Sequence, residues 1–77
     1  MEKDLVEYIV KSLVDDPSLV KVSVVEGEKS TILELRVGLG DIGKVIGKHG
    51  RIAKAIRTVL QAAVANSGKH TVLEILD

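Results

Sequence analysis

Apolar residues recur with helical spacing from residue 2 to 14, where Leu5, Val6, Ile9, Val10, Leu13 and Val14 form one stripe. Glu2 and Asp4 suit the positive end of that helix, and Glu7 and Lys11 stand one turn apart. Asp15-Asp16-Pro17 stops it. The period then changes. Residues 19–26, LVKVSVVE, are a β-branched run, and 27–30, GEKS, signal a turn. Residues 31–37, TILELRV, alternate, with Thr31, Leu33, Leu35 and Val37 on one face, so the two strands read as a hairpin. Asp41 stands where an N-cap begins a short helix through about Ile46, although Gly43 weakens it. A stronger helix follows Gly47 and Gly50, with Ile52, Ile56, Val59, Leu60 and Ala63 on one face at about 100° per residue. Asn66 to Gly68 end it, and 70–76, HTVLEIL, form a last strand.

The predicted order is αββααβ. Two helices separate the second and third strands, which makes those strands parallel neighbours joined by a right-handed crossover. The expected fold class is α+β: a three-stranded mixed sheet with helices packed on one face. No linker, repeat or low-complexity segment interrupts it, so residues 1–77 read as a single domain.

Composition narrows the chemistry. A chain of 77 residues sits where one core gives marginal stability, and with no cysteine it has neither a disulfide nor a thiolate metal site. Two histidines, His49 and His70, are too few for most metal sites, and no cofactor is expected. Tyr8 is the sole aromatic, so the core must be aliphatic and base-stacking platforms are absent. No apolar run nears the roughly 20 residues that span a bilayer, and MEKDLVEY is too acidic for a signal peptide. A cytoplasmic protein without membrane contact is the expectation. The net charge of zero hides an asymmetry. Residues 42–73 hold six bases (Lys44, Lys48, Arg51, Lys54, Arg57 and Lys69) and no acid, which suggests a basic face for an anionic partner.

The segment VGLGDIGKVIGKHG, residues 37–50, carries five glycines and admits three phosphate motifs. Gly38, Gly40 and Gly43 fit the dinucleotide fingerprint, but no acid follows about 20 positions on to hold a ribose. GLGDIGKV approaches a P-loop, yet Val45 stands where a hydroxyl should ligate magnesium. The remaining fit is the shorter G-x-x-G of Gly47-Lys48-His49-Gly50. Glycines there let backbone approach a sugar-phosphate chain, and Gly50 opens a helix whose free amides favour an anion. Lys48 and His49 occupy the tip, with Arg51 and Lys54 behind. A catalytic reading of His49 would need a nucleophile or carboxylate partner, and its neighbours are Lys48 and Gly50. An enzyme is not expected.

With its flanks, VIGKHGRIAKAI resembles the signature of the KH-domain family, and the αββααβ order resembles that family's type II, largely bacterial topology. The likeness covers nearly the whole chain and extends to small stand-alone bacterial KH proteins. It implies a binder of single-stranded RNA that clamps about four nucleotides of backbone at the G-x-x-G loop, such as an RNA chaperone or post-transcriptional regulator. The implied RNA-binding residues are Lys44, Ile46, Gly47, Lys48, His49, Gly50, Arg51 and Lys54. Ile46, Ile52 and Ile56 would line a groove between the helix pair and the sheet, with Ile46 its best candidate and Ile52 and Ile56 better read as core. The GEKS turn would close the far side of that groove.

Beyond Arg57 the long helix shows Gln61, Ala62, Val64 and Ala65, with no charge before Lys69. This makes 61–65 a candidate surface for a homodimer or a partner, unless the alanines serve helix propensity alone. The resemblance adds an association with dimers and with a larger RNA-binding protein carrying its own KH domain. The alternative function is therefore a protein-interaction module with incidental basicity.

Overall fold

The computed structural model describes residues 2–76; Met1 and Asp77 lie outside the described residues. Helix α1 runs Glu2–Leu13, with acids in its first turn and Lys11 in its last, as the helix dipole favours. Glu7 sits between Lys3 at 3.7 Å and Lys11 at 3.6 Å. The Val14 N–H still bonds to the Val10 carbonyl at 3.2 Å before Pro17 intervenes. Asp16 then caps a short 3₁₀ turn over Pro17–Leu19, accepting from the Ser18 N–H at 3.2 Å. The expected strand from residue 19 therefore starts later. Leu19 belongs to the turn, and β1 spans Lys21–Glu26.

Strand β2, Ser30–Arg36, pairs antiparallel with β1 in the register Val22↔Leu35 and Val24↔Leu33, and the Gly27 N–H closes the turn onto Ser30 O at 2.8 Å. A second 3₁₀ turn, Leu39–Asp41, leads into α2, Ile42–Ile46. After the corner at 47–50 come α3, Arg51–Ala63, and β3, His70–Leu76. The sheet order is β1-β2-β3, with β3 parallel to β2 in the register Leu33↔Leu73. This is the α+β arrangement with a three-stranded mixed sheet that the periodicity predicts.

The core is wholly aliphatic. Val6 and Val10 of α1, Val22, Leu33, Leu35 and Leu73 of the sheet, Val45 of α2, and Ile56, Leu60 and Val64 of the α3 region bury together, while Tyr8 is exposed. The buried line of α3 differs from the predicted face. It follows Ala53, Ile56, Leu60 and Val64, leaving Ile52 half-buried, Val59 46% exposed and Ala63 exposed. The other apolar flank of α3, Ile52, Ala55 and Val59, lines a hollow with Ile9 and Leu13 of α1.

The 61–65 surface is accordingly reduced. Val64 belongs to the core, and Gln61 donates from Nε2 to the Thr71 carbonyl at 2.6 Å. Arg57 reaches the Leu73 carbonyl at 3.3 Å, so two α3 side chains occupy carbonyls of the edge strand β3.

Candidate nucleic-acid interface

Five residues make α2 too short to stand alone, and Gly43 within it lowers its intrinsic preference further. It ends where the Gly47 N–H bonds to Gly43 O at 2.8 Å. Gly47 then takes φ 76° and ψ 171°, a conformation open essentially to glycine alone. The chain folds into a tight turn over Lys48–Gly50, with the Gly50 N–H on Gly47 O at 3.1 Å. His49 is held in the left-handed region at φ 59°, ψ 23°, and Gly50 follows at φ 73°, ψ 14°. Histidine is among the non-glycine residues that tolerate this region best.

The two glycines do different things. A Cβ on Gly47 would lie 2.6 Å from Ile52 Cγ1 and 2.9 Å from the Ile52 amide nitrogen, so this glycine makes room for α3 itself. A Cβ on Gly50 would meet nothing within 4 Å. The side-chain-free opening expected at both positions is therefore found at Gly50, while at Gly47 it is filled by the chain's own isoleucine. No side chain caps the start of α3; the Gly50 and Arg51 N–H groups bond back to the Gly47 and Lys48 carbonyls of the corner itself.

Lys48, His49, Arg51 and Lys54 are all exposed at or just behind this corner, and Ile46 is 39% exposed beside it. Lys44 is placed elsewhere. Its Nζ lies 3.0 Å from Asp15 Oδ2 and 3.6 Å from Asp41 Oδ1, at the junction with the end of α1. The Asp15 carboxylate, hydrogen-bonded to that ammonium, raises the Lys44 pKa above its ordinary value. Asp41 occupies the predicted N-cap position but makes no capping bond. Its carboxylate instead accepts the Asp15 and Asp16 N–H groups, each at 3.1 Å. The Asp15 bond foremost, with those from Asp16 and Lys44, holds its pKa below the usual carboxylate value against the opposing effect of burial. Only the three-dimensional meeting of residues 15–16 with 41 reveals this role. In sequence, an aspartate before a helix reads as a cap.

Of the three isoleucines weighed for a groove, Ile46 is exposed and Ile52 half-buried. Ile56 is core, and Arg57 and Gln61 close the α3–β3 seam. A hollow lies between α1 and α3, about 290 Å³ in volume, with Ile9, Leu13, Ile52, Ala55 and Val59 along it and Arg51 at one end. The GEKS turn sits far from the corner. The His70 N–H bonds to Lys29 O at 3.1 Å, which puts the turn near the C-terminal end of α3, about 20 Å along a 13-residue helix from Gly50. Among the described residues no group of three His, Asp or Glu could hold a metal ion, and no helix is long and apolar enough to cross a membrane.

Comparison with known proteins meets this geometry. The family described as KhpA/KhpB, KH domain, matches residues 3–75. The chain is 60% identical over 76 residues to the RNA-binding protein KhpA of Borreliella burgdorferi, covering 99% of this chain and 93% of that one. It is 61% identical over 74 residues to the RNA-binding protein KhpA of Clostridium acetobutylicum, covering 96% and 99%. Among solved structures, it superposes with TM-score 0.64 and 21% identity on Era, in a crystal structure with MgGDPNP and nucleotides 1506–1542 of 16S ribosomal RNA. That match covers 96% of this chain but 28% of the other, and it speaks to the fold: α+β of the type II KH kind. A signature read on twelve residues, a topology found in the coordinates and a family match across nearly the whole length agree, and the chain belongs to the non-enzymatic KhpA/KhpB KH-domain family.

Proposed function

We propose that residues 1–77 act as one KH-type domain that binds single-stranded RNA by clamping its sugar-phosphate backbone at the GKHG corner. The observation that carries this reading is the open backbone at Gly50, set at the uncapped start of α3 and flanked by exposed Lys48, His49, Arg51 and Lys54. Two phosphate-attracting features coincide there: the positive end of the α3 dipole and exposed cations. The absence of any acid from 42 to 73 keeps repulsive charge off the same segment. Relatives named for RNA binding support the same assignment. Ile46 contributes an apolar contact for a base beside the corner. A single corner makes few contacts, so affinity per domain is modest and two domains on one strand bind far more tightly. Such a protein serves as a cytoplasmic RNA chaperone or post-transcriptional regulator.

The test replaces Lys48 and His49 by Asp and follows binding of a single-stranded RNA oligonucleotide over a salt series. The expected result is lost affinity with unchanged circular dichroism. The slope of log K against log salt falls as well, by about 0.7 for each phosphate contact removed. Parent-like binding would exclude the loop as the site.

A second reading, as a protein-interaction module, is favoured by the apolar hollow between α1 and α3, where Leu13 and Val59 are exposed. It suits a homodimer or a heteromer with a larger KH-containing RNA-binding protein better than the 61–65 surface does. Val59→Lys separates the two. A loss of self-association in sedimentation, with RNA binding retained per chain, assigns the hollow to protein contact.

A further inference from the structure

The clamp needs a rigid seat, and α2 cannot supply it alone. That helix has one fully buried anchor, Val45, and glycines within and after it. What remains to fix it is the junction at its start. Asp41 is 4% exposed, and each of its carboxylate oxygens accepts a backbone N–H from the turn that leaves α1. Backbone donors are fixed by the fold, so this two-point attachment sets the direction in which α2 departs. Lys44, one turn later, closes the same junction from outside by reaching both Asp41 and Asp15.

We propose that Asp41 is a positioning residue for the GKHG corner, and that Lys44 serves this junction instead of a phosphate. The proposal rests on the clamp reading and deepens it. The exposed Lys44–Asp15 pair is weak as a stabilising bond, since Asp15 is 81% exposed. In the structure the Lys44 charge nevertheless lies at this junction, beside both carboxylates. Moving that ammonium to an RNA phosphate would exchange two carboxylate neighbours for one anion, with no electrostatic gain. The groups facing Asp41 are the Asp15 and Asp16 amides, the Asp15 carboxylate and Lys44, and the sole cation among them is Lys44.

Two variants test this with a single-stranded RNA oligonucleotide, at a temperature where each is fully folded. In Asp41→Asn the amide group offers one acceptor where two are needed, and α2 loosens. The corner is then seated in only a fraction of molecules, and a fall of that fraction to a tenth weakens affinity about tenfold. The salt slope stays at the parent value because no phosphate contact is lost, and amide exchange quickens at 43–47 while β2 and β3 stay protected. Parent-like affinity in the folded variant overturns the proposal. Should Asp41→Asn fail to fold, Lys44→Met decides alone: it keeps the Asp41 backbone bonds and is expected to leave the salt slope unchanged. Lys48→Met lowers that slope by about 0.7. An equal drop for Lys44→Met overturns the inference, whereas an unchanged slope for Lys48→Met overturns the clamp itself.

Discussion

Gly47 and Gly50 share a positive φ and a place in the loop, but their surroundings make them unequal. At Gly50 an alanine would face backbone strain alone, about 1–2 kcal/mol for a left-handed non-glycine residue. At Gly47 it would face comparable or greater strain, about 1–3 kcal/mol, together with overlap against the Ile52 backbone nitrogen, which cannot swing away. Urea unfolding of Gly47→Ala and Gly50→Ala should therefore show the first as clearly the less stable. Gly50→Ala should remain folded and weaken RNA binding, because its methyl group intrudes on the open side of the corner. His49, between them, is strained without being glycine, and its imidazole stays at the exposed tip.

At the scale of elements, α3 does more than carry the corner. Its inner line fills the core, its first turn presents Arg51 and Lys54, and its outer turns hold the free edge of β3 through Arg57 and Gln61. An edge strand with unoccupied carbonyls invites pairing with another chain, and covering it with side chains from a helix is one remedy. Gln61→Ala is expected to cost about 1 kcal/mol, the net value of one well-made hydrogen bond. The longer contacts of Arg57 contribute less. A double Arg57→Ala, Gln61→Ala variant should exchange its β3 amides faster than the parent and aggregate on concentration, measurable by hydrogen exchange and light scattering. Equal protection in the double variant would mean that the bonds to Thr71 and Leu73 do not guard the edge.

For the whole molecule, the small aliphatic core leaves little stability in reserve, so ionisable groups at the α1–α2 junction register in its pH dependence. Asp41 has its folded pKa depressed below the ordinary 3.8, so its contribution is present above that pH and is lost as pH falls through the folded value. Lys44 has its folded pKa raised above the ordinary 10.5, so its contribution is present below that pH and is lost as pH climbs past the folded value. Chemical denaturation across pH should thus show a plateau over the neutral range with losses at both ends. In Asp41→Asn the acid loss below about pH 4 should be shallower than in the parent.

Local patterns settled much of this protein. Period 3.6 marked α1 and α3, alternation marked β2, and a β-branched run marked β1. The count of helices between strands set β3 parallel to β2, and two glycines with flanking isoleucines located the corner. Those features depend on a residue and its near neighbours, and the chain carries them wherever it goes. Tertiary packing decided the rest. A turn opened by Pro17 delayed β1, and packing against the sheet and α1 buried Ala53, Ile56, Leu60 and Val64 but not Val59 and Ala63. Ile52 claimed the space at Gly47. Residues 15 and 16, distant in sequence, took both oxygens of the Asp41 carboxylate, and Asp15 drew the Lys44 ammonium to the same junction. Each is a contest between several partners for one face, one space or one charge. Such contests are resolved by distance in the folded chain, to which spacing along the sequence is blind.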